Sequence, residues 1–240
     1  MVGQFVKLKW LKDTFAHVPN NAAAEQVQQH CRAYLLRLIG GLVILDKSCN
    51  RVHLMYLPML KYIQRVRLYS WGSACLANFY RQMCRATAPS YACMGGCTLL
   101  LQSWVWYRMP FISPHCTREI SFPLAKRWIS RGLIHFGTPY GDLVSYRSNI
   151  DHMQHYQFIW MHYRGLENVI PQQAYQDSMI WTAKTALICF STVEWHQIDR
   201  VKLQFGLLQE IPDEPENIDT LHYQDMRGNH LENWKDKHAA

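Results

Sequence analysis

Residues 71–86 read WGSACLANFYRQMCRA, and this stretch decides the fold. Trp71, Cys75, Phe79 and Met83 recur every four residues, and Leu76, Tyr80 and Cys84 fill the row beside them. At that spacing helical side chains stack on one face. The stripe is wide, so the predicted helix sits at the centre of a core. Ser70 stands just before it, and serine is a good helix N-cap.

Upstream, residues 22–45 carry Val27, Cys31, Tyr34, Leu35, Leu38, Ile39 and Leu42 three or four apart. They predict one long helix with that face inward, and Asn21 is placed to cap it. Gly40-Gly41 lies inside it, and two glycines there cost roughly 1 kcal/mol each against alanine, which marks close packing or a kink. Residues 8–15 predict a short helix and 46–50 a turn. Residues 51–57 alternate, and Pro58 opens a short helix to about Val66.

Downstream, Gly95-Gly96 opens a helix over 97–109 that is apolar nearly all round and so predicts burial on most sides. Short helices are expected over 124–131, 142–153, 174–183 and 199–207, the last capped by Asp199, with a loop over 132–141. Residues 157–163, QFIWMHY, alternate large side chains and form the best strand candidate, though no partner strand is evident. Residues 187–196, LICFSTVEWH, are β-rich in composition but helical in spacing, and the spacing predicts a helix. The fold class is mainly α: a compact multi-helix domain with at most a short β hairpin or isolated strands. Residues 1–211 form the domain, and 212–240 a polar segment that continues it, ordered in part.

The composition agrees. Of 240 residues, 49% are hydrophobic, 13% aromatic and 18% charged, which is a packed domain and not a disordered chain. The net charge of +7 suits nucleic acid or acidic partners, but the Lys and Arg are scattered in no dense run. Eight cysteines occur without a secretory leader at residues 1–10, so reduced intracellular thiols are expected. The longest strongly apolar stretch, 95–106, is shorter than the about 20 residues a membrane helix needs. No membrane partner is expected.

The patterns that carry chemistry are weak. Cys93 and Cys97 are spaced C-x3-C, with Cys84, His115 and Cys116 farther off, whereas zinc needs four converging ligands. Gly228-Asn229-His230 with Glu232 resembles a phosphatase metal motif, but Leu231 interrupts it, and Gly141-Asp142 lacks the histidine that would complete its companion. Glu194, His196 and Asp199 fit one helical turn, where a charged helix end explains them better than catalysis. Nucleotide and nucleophile-elbow motifs are absent. Arg65, Arg67, Arg81, Arg85, Lys126, Arg127 and Arg131 form a candidate nucleic-acid face if they gather. No catalytic, cofactor-binding or metal-ligating residue is assigned, and no cofactor is expected.

An ordered series of motifs carries a resemblance. It runs from YLLRLIGGLVILD (34–46) with Lys47-Ser48 and Arg51–Leu54, through YSWGSA (69–74) and Tyr80-Arg81, to Gly95–Cys97 with LLLQ (99–102) and Trp104. Pro123-Leu124, Arg127-Trp128, Tyr146-Arg147 and Asp151 follow. LICF (187–190), Val193-Glu194, His196, Asp199–Val201 and Gln204–Gly206 complete it. Together they resemble the plant mobile domain, the transposon-related domain of maintenance-of-meristems-like proteins and of phosphatase 7 long form homologs. The likeness spans about Lys9 to His238. The family's domain usually begins upstream, so this chain resembles an N-terminally truncated copy. Ala186 and His162 stand where members often carry proline.

The resemblance implies a nuclear, non-enzymatic protein acting in meristem maintenance, genome stability and transposon silencing. Its implied partners are related mobile-domain proteins and a phosphatase of the long form type, with DNA or chromatin as an alternative and a metal-dependent hydrolase as a third reading. The family also carries the label aminotransferase-like, but no lysine here sits in the context a pyridoxal enzyme needs. Arg37, Arg51, His53, Glu194, His196 and Arg200 are the polar members of the series and the candidate network for interaction.

Overall fold

A computed structural model describes residues 4–88, 90, 91, 93–128 and 141–218. The chain divides into two compact units, one drawn from Met1–Cys97, Ala186–Trp195 and Glu216–Ala240, the other from Thr98–Thr185 and His196–Pro215. The described residues are mainly helical and hold two small two-stranded sheets.

The first unit opens with β1 (Phe5–Lys7) and α1 (Leu8–Thr14), followed by α2 (Ala24–Leu38). Asn21 does not cap α2. Ala23 occupies that position, and its N–H donates to the side chain of Gln26 at 2.9 Å. The helix continues as a π-helical turn over Ile39–Val43. Gly40 explains the change: a Cβ there would lie 2.4 Å from Cβ of Val52, so only glycine lets this turn close on the strand that follows. That strand, β2 (Arg51–His53), pairs antiparallel with β1 in the register Phe5 to His53, Val6 to Val52 and Lys7 to Arg51. Asp46 shapes the turn between them by accepting from the N–H groups of Ser48 and Cys49. The short helix expected from Pro58 is two 3₁₀ turns, Leu54–Leu60 and Ile63–Leu68.

Then α3 (Trp71–Ala86) runs with the bounds the sequence predicts. Its buried face differs from the expected rows. Ala77, Asn78, Phe79, Arg81 and Gln82 are buried, while Cys84 is exposed. Gly95 and Gly96 close against this helix, with Gly96 at φ +85 and its N–H bonded to the carbonyl of Leu45. The core gathers Val6, Leu11, Leu36, Ile39, Val52 and Leu60 with Tyr56 and Ala77, and the hairpin below supplies Leu187 and Cys189.

That hairpin replaces the helix expected over 187–196. It is β3 (Thr185–Cys189) and β4 (Thr192–His196), joined by a two-residue turn in which Phe190 takes φ 55. The β-branched Thr185, Ile188, Thr192 and Val193 favour extended backbone. Their preference outweighs the spacing that mimics a helix.

In the second unit, α4 (Thr98–Arg108) precedes α5 (Leu143–Asp151), α6 (Gln172–Gln176) and α7 (Ser178–Trp181). The burial expected around α4 fails on one side, since Leu99 and Leu100 are exposed while Tyr107 and Arg108 are buried. Asp142 caps α5, accepting from the N–H of Ser145 at 2.7 Å. The strand expected over 157–163 does not form. A 3₁₀ turn, His155–Gln157, leads into further turns. Phe158 packs against Trp160 at 4.7 Å and Trp104 at 5.9 Å, and the N–H of Ile159 bonds the carbonyl of Arg108. With no partner strand to satisfy its backbone, the segment folds onto α4 instead. The helix expected over 199–207 is two 3₁₀ turns that stop at Gly206, φ +72, and Asp199 pairs with Lys184 at 3.4 Å rather than capping. Of the expected 124–131 helix, Leu124–Trp128 is a 3₁₀ turn, and the rest lies outside the described residues.

Candidate functional site

The six nominated polar residues are held by separate local contacts. Arg51 and His53 come together at β2 around the ring of Phe5, the guanidinium 4.3 Å above it and the imidazole edge-on at 4.7 Å. Arg51 also donates to Asp46 at 2.8 Å, and Nδ1 of His53 accepts from the N–H of Met55. Burial works against the Asp46 carboxylate, but its hydrogen bonds from Arg51 and Ser48 hold its pKa below the usual value. Glu194 is buried and pairs with Arg81, whose Nη2 also donates to the carbonyl of Val193 at 3.1 Å. In the second unit, Nε2 of His196 meets the carbonyl of Trp181 at 3.1 Å. Arg200 there donates to Gln197 and to the carbonyl of Asp213. Arg37 faces a cleft between α1 and α2.

The acid–imidazole set Glu194, His196 and Asp199 is engaged with Arg81, the Trp181 carbonyl and Lys184 respectively. The helical turn that would have gathered these residues is a strand. Among the described residues, no three of His, Cys, Asp and Glu gather as a metal site. The Cys93 thiol donates to the carbonyl of Lys47 and that of Cys116 to the carbonyl of Arg127, and the eight cysteines are not joined in disulfides. Residues 228–232, with their phosphatase-like pattern, lie outside the described residues.

Of the expected cationic face, Arg81 is buried, Arg131 lies outside the described residues, Arg65, Arg67 and Arg85 belong to the first unit, and Lys126 and Arg127 belong to the second. A smaller surface emerges around Arg65 and Arg67. Arg65 and Arg67 are exposed along the second 3₁₀ turn and Lys61 just before it, and Lys61 and Arg65 each sit 5.3 Å from the exposed ring of Tyr62. Leu68 is 73% exposed and Tyr69 and Leu57 are open to solvent as well. Beside them is a slot of about 150 Å³ lined by Tyr56, Tyr69, Trp71, Ile188 and Phe190. Trp71 is fixed there by its indole N–H, which donates to the carbonyl of Val66 at 2.8 Å, and Phe190 by its edge-on contact with Tyr56. A left-handed aromatic residue is strained backbone, of a kind that clusters at functional sites. The sequence offered a partial signal, because the motifs YSWGSA and LICF bracket this slot.

A second cluster escaped the sequence reading entirely. Arg108 is 2% exposed in the second unit, 4.8 Å from the ring of Trp104 and 5.5 Å from that of Tyr163. Burial lowers its pKa. The His162 ring lies tilted against that of Tyr163, their centroids 3.7 Å apart, and burial plus the Arg108 charge push its pKa down to about 4. Neither an isolated Arg nor an isolated His in a sequence announces such a cluster.

Among the described residues no helix is long and apolar enough to cross a membrane. Compared with known proteins, the sequence matches the plant mobile domain over residues 1–240. It is 36% identical over 250 residues to an Arabidopsis thaliana serine/threonine-protein phosphatase 7 long form homolog, a span covering 99% of this chain and 19% of that protein. It is 36% identical to MAIN-LIKE 1 of the same plant, over 86% of this chain and 40% of the relative. It is 32% identical to MAINTENANCE OF MERISTEMS, over 93% and 46%. The chain thus spans less than half the length of these relatives. No solved structure matches.

Proposed function

The chain belongs to the plant mobile domain family, and from that premise we propose that it is a non-enzymatic interaction and scaffold domain of transposon-related origin that works in the nucleus. One relative is named for the maintenance of meristems. The proposal extends that process to this chain, together with transposon silencing and genome stability. Its partners are related mobile-domain proteins and a phosphatase of the long form type.

The observation that carries the reading is the surface from Leu57 to Tyr69 with the adjoining slot. It places Tyr62, Leu68 and Tyr69 in water beside Arg65 and Arg67. Tyr, Trp and Arg dominate the binding energy of protein interfaces, and exposed apolar groups side by side mark such places. The groups that catalysis would recruit are committed to structure, Glu194 to Arg81 and His53 to Met55. Size-exclusion chromatography of the purified chain mixed with a purified relative tests this. Co-elution is expected; independent elution at all concentrations contradicts it.

A second reading, nucleic-acid binding, is favoured by the same cations and by Tyr62 as a stacking ring. It predicts a gel shift with single-stranded DNA that weakens steeply with salt. A shift that survives added salt, or no shift, removes it.

A further inference from the structure

The sequence assigns this helix an apolar face through Val27, Cys31, Tyr34, Leu35, Leu38, Ile39 and Leu42, yet of these only Ile39 is buried, and the inward face is rotated from the expected one. Ala33, Leu36, Ile39 and Gly40 are buried, and Val27, Tyr34 and Leu42 stay exposed. The rotation follows from Gly40, whose closure on Val52 fixes which side of the helix meets β2. Among the described residues of the first unit, Val27, Tyr34 and Leu42 are thereby left exposed along one stripe.

The stripe forms one wall of an open cleft of about 520 Å³ between α1 and α2. Leu8, Leu38 and Leu42 give it an apolar floor, and Gly41 leaves that floor bare. Lys9 and Lys12 project from one side and Arg37 from the other, against the single carboxylate of Asp13. Within the described residues none of these three cations forms an ion pair. A cleft this open does not enclose a small molecule, which needs most of its surface covered. It suits a segment laid along it.

We propose that this cleft docks an acidic, amphipathic segment of a partner protein, with aliphatic side chains on the Leu8–Leu38–Leu42 floor and carboxylates on Lys9, Lys12 and Arg37. Charge complementarity selects the sign of the partner, and the three leucines of the floor favour a peptide over nucleic acid, for whose bases Tyr34 is the one stacking ring among the lining residues. The site is separate from the Leu57–Tyr69 surface and goes beyond the function proposed there.

The test uses the whole chain and a labelled synthetic helix of about four turns with leucines at i, i+4 and i+7 and glutamates elsewhere, read by fluorescence anisotropy. Its counterpart carries lysines in place of the glutamates. The glutamate peptide binds the chain, and K12E with R37E weakens it about tenfold or more. Gly41→Leu fills the floor, because a Cβ there meets only Leu8 at 3.5 Å, and it weakens binding while leaving the unfolding midpoint in place. Leu68→Ser leaves peptide binding unchanged, which separates this site from the other surface. Equal binding of the two peptides, or peptide affinity indifferent to all three cleft substitutions, overturns the proposal. So does a single-stranded oligonucleotide that binds through Lys12 and Arg37 while the peptide does not.

Discussion

Two arginines are buried among the described residues, one per unit, and they are kept there by different physics. Arg81 is 3% exposed and faces the carboxylate of Glu194, with a further bond to the carbonyl of Val193. Arg108 is just as buried but faces rings, Trp104 and Tyr163, with His162 nearby. A buried ion pair is intolerant of losing one member, because the other is left as an uncompensated charge. A cation held on π faces leaves nothing charged behind when it is removed. The two units should therefore answer alike-sounding substitutions very differently.

The largest effect is expected from Glu194→Ala, which strands Arg81 and destabilises the first unit by about 3–5 kcal/mol. Hydrogen exchange at the α3 amides reads it without interference from the second unit. Adding Arg81→Met to Glu194→Leu should recover most of that loss, since an apolar pair of similar volume replaces the ion pair. If the double variant is as unstable as Glu194→Ala, the comparison fails.

Gly40→Ala comes next. Its Cβ has no room against Val52, and overpacking of this kind costs about 1–3 kcal/mol. Denaturant unfolding followed at the α2 amides measures it, while Gly41→Ala, whose Cβ would meet Leu8 at an ordinary contact distance of 3.5 Å, should be neutral or stabilising. Arg108→Met should change the second unit by about 1 kcal/mol or less, because the lost cation–π contacts are offset by the relief of desolvation. A loss as large as that of Glu194→Ala would show that Arg108 has an anionic partner.

The last effect is one of pH, and near neutral pH, where His162 is uncharged in both states, it vanishes. The folded pKa of His162, about 4, lies below its unfolded value near 6.5, so the unfolded chain binds the extra proton first. Stability contributed by neutral His162 is complete above about pH 6.5 and is lost as pH falls towards 4. His162→Phe should flatten that part of the pH–stability curve for the α4 amides.

What the sequence disclosed follows from how local each feature is. The α3 helix was legible to the residue, since sixteen positions of 3.6-residue spacing outvote any single deviation. The glycine pair was legible as close packing or a kink, and Gly40 is the member that packs closely, against Val52. At 187–196 Leu187, Ser191 and Glu194 fall at helical intervals by coincidence, and the β-branched Thr185, Ile188, Thr192 and Val193, with the packing of Glu194 on Arg81, decide for the hairpin. Residues 157–163 failed for the opposite reason, as alternation without a partner strand is not a strand. For the site, Arg37 and the motifs around Tyr69 and Phe190 were within reach. The rotation of α2 and the burial of Arg81 and Arg108 were not, because each depends on a contact with a residue distant in sequence.

The account places function on exposed side chains and structure on buried charge. Isothermal titration of a purified Arabidopsis mobile domain into the wild-type chain and into the Leu68→Ser/Tyr69→Ala variant tests that division directly. The account predicts binding by the wild type, a loss of about tenfold or more in the variant, and an unfolding midpoint shared by both. Equal affinity for the two proteins would contradict it.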